Sequence, residues 1–579
     1  MSKFIHESLG SFDRYATTIE IARGERLFSQ GDSPDGCYLV VSGRVLTHYY
    51  DADIHAEANL QTYQDGEVVG SIGAIDKAPR NISATAETDI VVRHINAKSL
   101  LRMTIEDINA YQQFIQLSSN TVAKKFRELQ EAAVHVALAS SSSPVVDATV
   151  ERAVAAQSQF VSWPENKVEE VIRDVARAVN DCAPELAEEC VMETGFGVLD
   201  HKIKKIRLGT IDVAESLKGQ PGSDHIHLEA PGVENMAMPV GVVFGMIPVT
   251  NPVETIVFKS LIALKARNAI IISSHRKARN VGDKTVDIIR TVLEEHGAPA
   301  DLVQTPELAA NRKLTQAFMS HDKVNFILAT GGPSMVKSAY RSGTPAIGVG
   351  KGNAPVWVCA DARLPTVAHQ VVNSKSFDNG IVCGSENNLL VDAKIADDFI
   401  EQLVVQGAAV LSSGERDHLI KKAFTDCSVD GDWIGKSAQE ICNAVGIERP
   451  YEIKLIVAEV ENGNLASPLV REKLAPMLSL VRVTDQEDAL FHAKTILSIE
   501  GRGHTAIVHT DDREKVNAYA AAVEVSRVLV NSPGTQGCIG ACNGLQLSWT
   551  LGCGTMGGGS TSDNVSYKHL QNTKRVAYA

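Results

Sequence analysis

The sequence contains no apolar run approaching the ~20 residues a helix needs to span a bilayer, so no membrane-spanning segment is expected. It also lacks an excess of basic residues: 56 Lys and Arg stand against 70 Asp and Glu, a formal net charge of −14. Without surplus cations to neutralise phosphates, a general nucleic-acid binder is not expected. The stretch Met1-Ser-Lys-Phe-Ile-His-Glu7 lacks a basic segment followed by an apolar one, so no secretory signal is expected. Ten cysteines are scattered without the paired spacing of metal ligands, which argues against a disulfide scaffold or a zinc ribbon. A cytoplasmic protein with no bound metal is the expectation. What is present, 44% hydrophobic and 22% charged residues, is ordinary for a globular chain, and 579 residues exceed one core. Two to four domains are expected.

From Ile19 to Ile95 short apolar stretches alternate with turn signals. Glu20-Ile-Ala22, Arg26-Leu-Phe28, Cys37-Tyr-Leu-Val-Val41, Arg44-Val-Leu-Thr-His-Tyr49 and Ile90-Val-Val-Arg-His-Ile95 read as strands. Such spacing predicts a β-barrel or jelly roll. A helix is predicted over 105–138, with apolar positions at Phe114, Leu117, Val122, Phe126 and Leu129. Ala139-Ser-Ser-Ser-Ser-Pro144 then reads as a polar linker.

Gly24-Glu-Arg-Leu-Phe-Ser-Gln-Gly31 and Cys37-Tyr-Leu-Val-Val-Ser-Gly43 resemble the start of a cyclic-nucleotide-binding domain. Gly66-Glu-Val-Val-Gly-Ser-Ile-Gly-Ala74 followed by Pro79-Arg-Asn-Ile-Ser-Ala84 resembles that family's phosphate cassette, in which backbone N–H groups and one arginine hold a cyclic phosphate. The resemblance places Gly70 and Arg80 at the phosphate, and Ser71 where the family carries the glutamate that takes the ribose hydroxyl. It leaves two roles open: a site for cAMP or cGMP, or an assembly module without ligand. In transcription regulators of this family such a helix leads to a helix-turn-helix, and nothing basic of that kind follows here.

Beyond 149 the pattern changes. Thr149 to Ala187 has helical spacing broken at Trp163-Pro164. From Met238 onward, apolar strands alternate with helices: Val240 to Ile247, a helix over 253–266, Asn268 to Ser273, and Phe326 to Thr330. Alternation of this kind predicts a parallel sheet with ligands at the carboxyl ends of its strands. Thr330-Gly331-Gly332, opening a helix, would let a pyrophosphate approach the backbone. Cys383 lies in Ser376-Phe-Asp-Asn-Gly-Ile-Val-Cys-Gly-Ser-Glu386, between a glycine turn and an apolar run. A cysteine at such a junction suits a nucleophile exposed to substrate.

Taken with Ile247-Pro-Val-Thr-Asn-Pro252, Ala329-Thr-Gly-Gly-Pro333, Ile347-Gly-Val-Gly-Lys-Gly-Asn353, Gly503-His-Thr-Ala506 and Thr550-Leu-Gly-Cys-Gly-Thr-Met-Gly-Gly558, that stretch resembles the CoA-acylating branch of the aldehyde dehydrogenases. The resemblance covers residues 150–579. It implies an α/β aldehyde dehydrogenase fold behind the β-rich module, with a Rossmann-like NAD domain and an α/β catalytic domain. It makes Cys383 the nucleophile and Asn251 an oxyanion donor. Pro248, Thr250, His275, Thr330, Gly331, Gly332, Gly348 and Glu472 would serve the coenzyme, with Glu472 at the nicotinamide ribose.

Hydrolytic members carry a glutamate that activates water, and Gly348 occupies that place here; slow hydrolysis and an acyl-CoA product are therefore implied. NAD is expected over NADP, although Arg276 and Lys277 would suit a 2′-phosphate unless they are merely solvated. CoA is the implied co-substrate and a small aldehyde the substrate. A homo-oligomer, dimer or larger, is implied as well. The chain's end at Ala579 suggests no aldehyde-to-alcohol step, and Cys538-Ile-Gly-Ala-Cys542, without a second pair, reads as packing. The expected divisions are 1–138, the linker 139–148, an NAD-binding domain 149–375, a catalytic domain 376–550 and a C-terminal oligomerisation segment 551–579. A hydrolytic dehydrogenase and an inactive nucleotide-sensing scaffold are the alternative functions.

Overall fold

The computed structural model describes residues 14–51, 56–139, 144–223, 225–308, 310–425 and 427–579. Its contacts divide the chain into two units, Met1–Leu138 and Ala139–Ala579. Among the described residues no helix is long and apolar enough to cross a membrane.

The first unit is built from two four-stranded antiparallel sheets. One runs in the order Thr17–Ile21, Ile90–Asn96, Gly36–Ser42 and Val68–Val69. The other runs Arg26–Phe28, Ser83–Ala86, Val45–Asp51 and Ala56–Tyr63. Val40, Val45, Val69, Ala84 and Val92 bury together, which is what alternating apolar residues on two facing sheets achieve. Gly43 turns the chain at φ 93°, and a Cβ there would sit 2.5 Å from the Asp89 carbonyl, so only glycine fits. The helix expected over 105–138 is two helices, Ala97–Glu106 and Ile108–Ala139. The break falls at Asp107 (φ −154°), whose side chain accepts from Ala110 N–H at 3.0 Å and pairs with Arg14. Of the apolar positions on the long helix Phe114 is buried, whereas Phe126 and Leu129 are exposed.

The second unit opens with three helices, Pro144–Phe160, Glu165–Asp181 and Ala183–Thr194. The first break falls at the predicted Trp163-Pro164; a second, at Cys182, was not expected. Of the expected linker 139–148, residues 140–143 lie outside the described residues, and Pro144 already opens a helix. Proline suits that first turn because its missing N–H would have no partner there.

A five-stranded parallel sheet runs Val303–Gln304, Ala269–Ser273, Val242–Met246, Phe326–Thr330, Ala346–Val349. A seven-stranded parallel sheet runs Ala408–Val410, Leu455–Glu459, Met477–Val483, Glu386–Asp392, Ala354–Val358, Gly503–His509, Val525–Val530. Ala354–Val358 pairs with Glu386–Asp392 and Gly503–His509, so the boundary between sheets falls before Ala354, earlier than the expected division at 375/376. Gln571–Ala577 pairs antiparallel with Val233–Pro239, which pairs with Ile226–Ala230. This three-stranded sheet leaves Ile226 and Leu228 exposed.

Candidate active site

In the five-stranded sheet the strand order reverses between Val242–Met246 and Phe326–Thr330, the switch point at which open α/β sheets take ligands. A cavity of about 710 Å³ lies there, lined by Met246, Ile247, Ser273 to Arg276 and the helix Pro333–Arg341. Lys259 Nζ spans the two strands, donating to the Met246 carbonyl at 2.7 Å and the Leu328 carbonyl at 2.9 Å. Burial with no counter-ion holds its pKa down to about 7.

Of the expected coenzyme residues His275 lines this cavity, and others follow the carboxyl ends of the strands beside it. Pro248 and Thr250 follow the first strand, His275 the second, and Thr330-Gly331-Gly332 the fourth, with Gly332 as N-cap of the next helix. His275 Nδ1 accepts from Lys277 N–H at 3.2 Å, and burial with neighbouring Arg276 and Lys277 lowers its pKa. The buried hydroxyls of Thr330 and Ser274 have no partner among the described residues. A Cβ added to Gly332 would meet nothing within 4 Å, so the backbone is open at the helix start. These features fit a dinucleotide, whose pyrophosphate suits a helix N-terminus and whose hydroxyls would satisfy the orphaned groups. Gly348 is different: its N–H donates to Tyr340 Oη at 2.8 Å, and a Cβ there would sit 2.4 Å from Val336 Cγ1.

Cys383 follows the 3-10 turn Phe377–Gly380, in which Asp378 and Asn379 adopt left-handed φ of 49° and 54°. Such backbone costs ~1–3 kcal/mol per residue and persists only where its surroundings fix it. The surroundings here are charges. Asp378 Oδ1 accepts from Val198 N–H at 2.9 Å, and Oδ2 from Lys205 and, at 3.0 Å, from Lys202. Lys205 also pairs with Glu254 at 2.9 Å, so two buried lysines face two buried carboxylates. Lys202 Nζ donates at 2.9 Å to the carbonyl of Thr250, the residue before Asn251. The cluster therefore ties the Cys383 loop to the Asn251 loop. Asn251 caps the helix Pro252–Lys265 and donates from Nδ2 to Thr250 Oγ1 at 3.0 Å. Its Oδ1 is buried without a partner among the described residues, and the side chain stands at the positive end of that helix.

Cys383 is half-buried, with Sγ 3.2 Å from His504 Nε2. His504 is fully buried at the start of the strand Gly503–His509, and its Nδ1 lies 2.9 Å from Thr505 Oγ1. Burial, with Arg527 beside it, holds its pKa at about 3, so the ring is neutral at physiological pH. Burial also pushes the Cys383 thiol well above its usual pKa, with Cys538 and Glu472 adding to the rise. Gly352 presses on the nucleophile: a Cβ there would lie 1.6 Å from the Cys383 carbonyl oxygen. Its N–H donates to Glu472 Oε1 at 2.9 Å. Burial and neighbouring Glu500 raise the Glu472 pKa to about 7. The C-terminal glycine-rich tail is tied to the strand that carries His504, since Arg527 donates to both the His504 and Gly552 carbonyls.

His504, Asp378 and the lysine pair carry no assigned role in the sequence reading. His504 was visible only as part of Gly503-His-Thr-Ala506, and the sole signal for Lys202 and Lys205 was their spacing on one face of a helix.

In the first unit, Gly70, Ser71 and Arg80 come together. Arg80 is buried, donating from Nη1 to the Gly70 carbonyl at 2.6 Å and from Nη2 to Asp35 at 3.0 Å and the Gly36 carbonyl at 2.6 Å. Ser71 opens the helix Ser71–Asp76.

A sequence model described as the aldehyde dehydrogenase family matches residues 117–419, and one for the cyclic nucleotide-binding domain matches 18–107. The succinate-semialdehyde dehydrogenase (acetylating) of Clostridium kluyveri is 32% identical over 431 residues, covering 74% of this chain and 94% of that protein. The chain belongs to the aldehyde dehydrogenase family. The bifunctional aldehyde-alcohol dehydrogenase of Escherichia coli K12 is 36% identical over 75% of this chain, which spans about half of that relative (49%). Among solved structures, an acetylating aldehyde dehydrogenase from Geobacillus thermoglucosidasius superposes with TM-score 0.73 at 37% identity, over 75% of this chain and 96% of its own. A Rhodopseudomonas palustris propionaldehyde dehydrogenase, solved with bound CoA and an acylated cysteine, gives 0.68 at 30% identity, over 75% and 97%. Within the family fold, the five-stranded sheet presents the open dinucleotide crevice and the seven-stranded sheet carries Cys383 and His504.

Proposed function

We propose that this chain oxidises a short-chain aldehyde to its acyl-CoA thioester in the cytoplasm, reversibly and with NAD as acceptor, through Cys383. The observation that carries this reading is the pairing of Cys383 Sγ with neutral His504 Nε2 at 3.2 Å. The resemblance, which sets Gly348 where hydrolytic members carry their water-activating glutamate, supports transfer to CoA over hydrolysis. Relatives and neighbours whose names specify acetylating or acylating dehydrogenases support it.

When Nδ1–H donates to Thr505 Oγ1, Nε2 bears the lone pair facing Sγ and takes the thiol proton as the sulfur adds. The sulfur attacks the aldehyde carbon, forming the C–S bond as the carbonyl pair moves to oxygen. The Asn251 side-chain amide and the Cys383 N–H are assigned to that oxyanion, ~3 kcal/mol for each donor. NAD, when bound in the crevice, supplies the hydride acceptor. Pro248, Thr250, His275, Thr330, Gly331 and Gly332 would hold it, with Glu472 near its ribose. Cys383 then carries a thioester. A CoA thiolate attacks the acyl carbon, the C–S bond to Cys383 breaks, and the cysteine leaves as thiolate.

In the first unit, the cassette of Gly70, Ser71 and Arg80 is assigned to cAMP or cGMP as a regulator. Support comes from the buried Arg80 guanidinium against Gly70, and calorimetry with both nucleotides tests it. The exposed Ile226 and Leu228 on the three-stranded sheet favour a homo-oligomer, tested by light scattering. For the enzyme itself, NADH formation from short aldehydes with and without CoA is the test; a rate unaffected by Cys383→Ala would overturn the reading.

A further inference from the structure

The outer end of the crevice is formed by the turn after the second strand and by the start of the helix Arg312–Met319. In nucleotide folds selective for NAD, a carboxylate in this neighbourhood takes the diol of the adenosine ribose, and an arginine there accommodates a 2′-phosphate instead. Here the turn reads Ser273-Ser-His-Arg-Lys277, and among the described residues no Asp or Glu lines the cavity. Arg276 and Arg312 line it from opposite segments. Both are exposed, and among the described residues neither forms a hydrogen bond or ion pair. In a chain of net charge −14, two cations facing one cavity without an acid among its lining residues form a local reversal of sign.

The geometry points to Arg276 and Arg312 as a clamp for a phosphate monoester on the adenosine ribose. Guanidinium forks match phosphate oxygens bidentately, and a dianionic phosphate between two of them needs no other counter-charge. That chemistry has two carriers in this reaction class: the 3′-phosphate of CoA and the 2′-phosphate of NADP. The inference rests on the crevice being an adenine-nucleotide site.

Calorimetry on the full chain with 5′-AMP, adenosine 2′,5′-bisphosphate and adenosine 3′,5′-bisphosphate reads the clamp without any turnover. At least one bisphosphate is expected to bind about tenfold or more tightly than 5′-AMP, with the advantage shrinking as salt rises. In Arg276→Ser/Arg312→Ser the advantage is expected to vanish while 5′-AMP affinity holds. A gain confined to the 3′,5′ compound identifies CoA as the carrier, and one confined to the 2′,5′ compound identifies NADP. Equal affinity of all three compounds, or an advantage that survives the double substitution, overturns the inference. If 5′-AMP binds and competes with NAD but no bisphosphate gains, the clamp alone fails. If nothing binds, the clamp and the nucleotide reading of the crevice fall together, while CoA-dependent turnover would still speak for Cys383.

Discussion

His504 Nε2 stands 3.2 Å from Cys383 Sγ, joining a residue that opens one central strand of the seven-stranded sheet to the loop that leads into another. Burial keeps the imidazole neutral, so Nε2 presents a lone pair to the thiol; the same burial disfavours imidazolium and thiolate alike, so the proton moves only as the sulfur adds to the aldehyde. His504→Asn is expected to lower kcat by about 100-fold, at the lower end of what a positioned base contributes. Iodoacetamide should also alkylate Cys383 more slowly in this variant. Unchanged alkylation would remove His504 from the proton path.

Asp378 is the acceptor that Lys202 and Lys205 share. Asp378→Asn leaves two buried ammonium groups facing Glu254 alone, and breaking a buried pair in this way costs about 3–5 kcal/mol. A lowered melting temperature and slower thioester formation on Cys383 are expected together, since the same group fixes the left-handed turn before the nucleophile. Restoration of stability but not of thioester formation in Asp378→Asn/Lys205→Met would separate the two roles. A variant as stable and as fast as wild type would contradict the assignment.

Glu472 titrates near neutrality, with a pKa raised to about 7 from an ordinary 4.5. Its raised pKa means the folded protein holds the proton more tightly than the unfolded chain, so this contribution to stability is full at low pH and lost as pH rises through about 7. Denaturant titrations should show wild type losing stability relative to Glu472→Gln across that rise. Removing the negative charge should also lower the Cys383 pKa, because Glu472 is among the groups that raise it. Faster alkylation of Glu472→Gln above neutral pH is expected; slower alkylation would argue that the carboxylate does not face the thiol.

Gly348→Glu restores the residue type that hydrolytic enzymes of the family resemblance would carry, yet a Cβ there lies 2.4 Å from Val336 Cγ1 and 3.0 Å from the Tyr340 ring. The substitution should lower the melting temperature without producing free acid, as followed by product chromatography. CoA-independent acid formation by this variant would show that the position accepts a working base.

Much of this arrangement was legible in the chain. Phe326–Thr330 coincides with its predicted strand, because a short apolar run buried between neighbouring strands has little choice of conformation. Cys383 and the glycine pair before the helix Pro333–Arg341 stand out in the chain because a glycine turn and a cysteine at a strand entry leave local marks, whereas Asn251 is singled out only by the family resemblance. His504 was not, because a histidine in an apolar strand looks like a core residue until the fold sets it against sulfur. Asp378 and Lys205 are 173 residues apart, and no local pattern announces a buried pair of that separation. The sheet boundary before Ala354 was missed for a similar reason: strand pairing is decided by partners far along the chain.

Under the proposed function the acyl group on Cys383 leaves to CoA and not to water. Incubation of the full chain with NAD and propionaldehyde, first without and then with CoA, tests it by intact-mass analysis of the protein and chromatography of the product. An acylated Cys383 is expected to persist without CoA and to be discharged as acyl-CoA when CoA is added. Free carboxylic acid released at the same rate with or without CoA would contradict it.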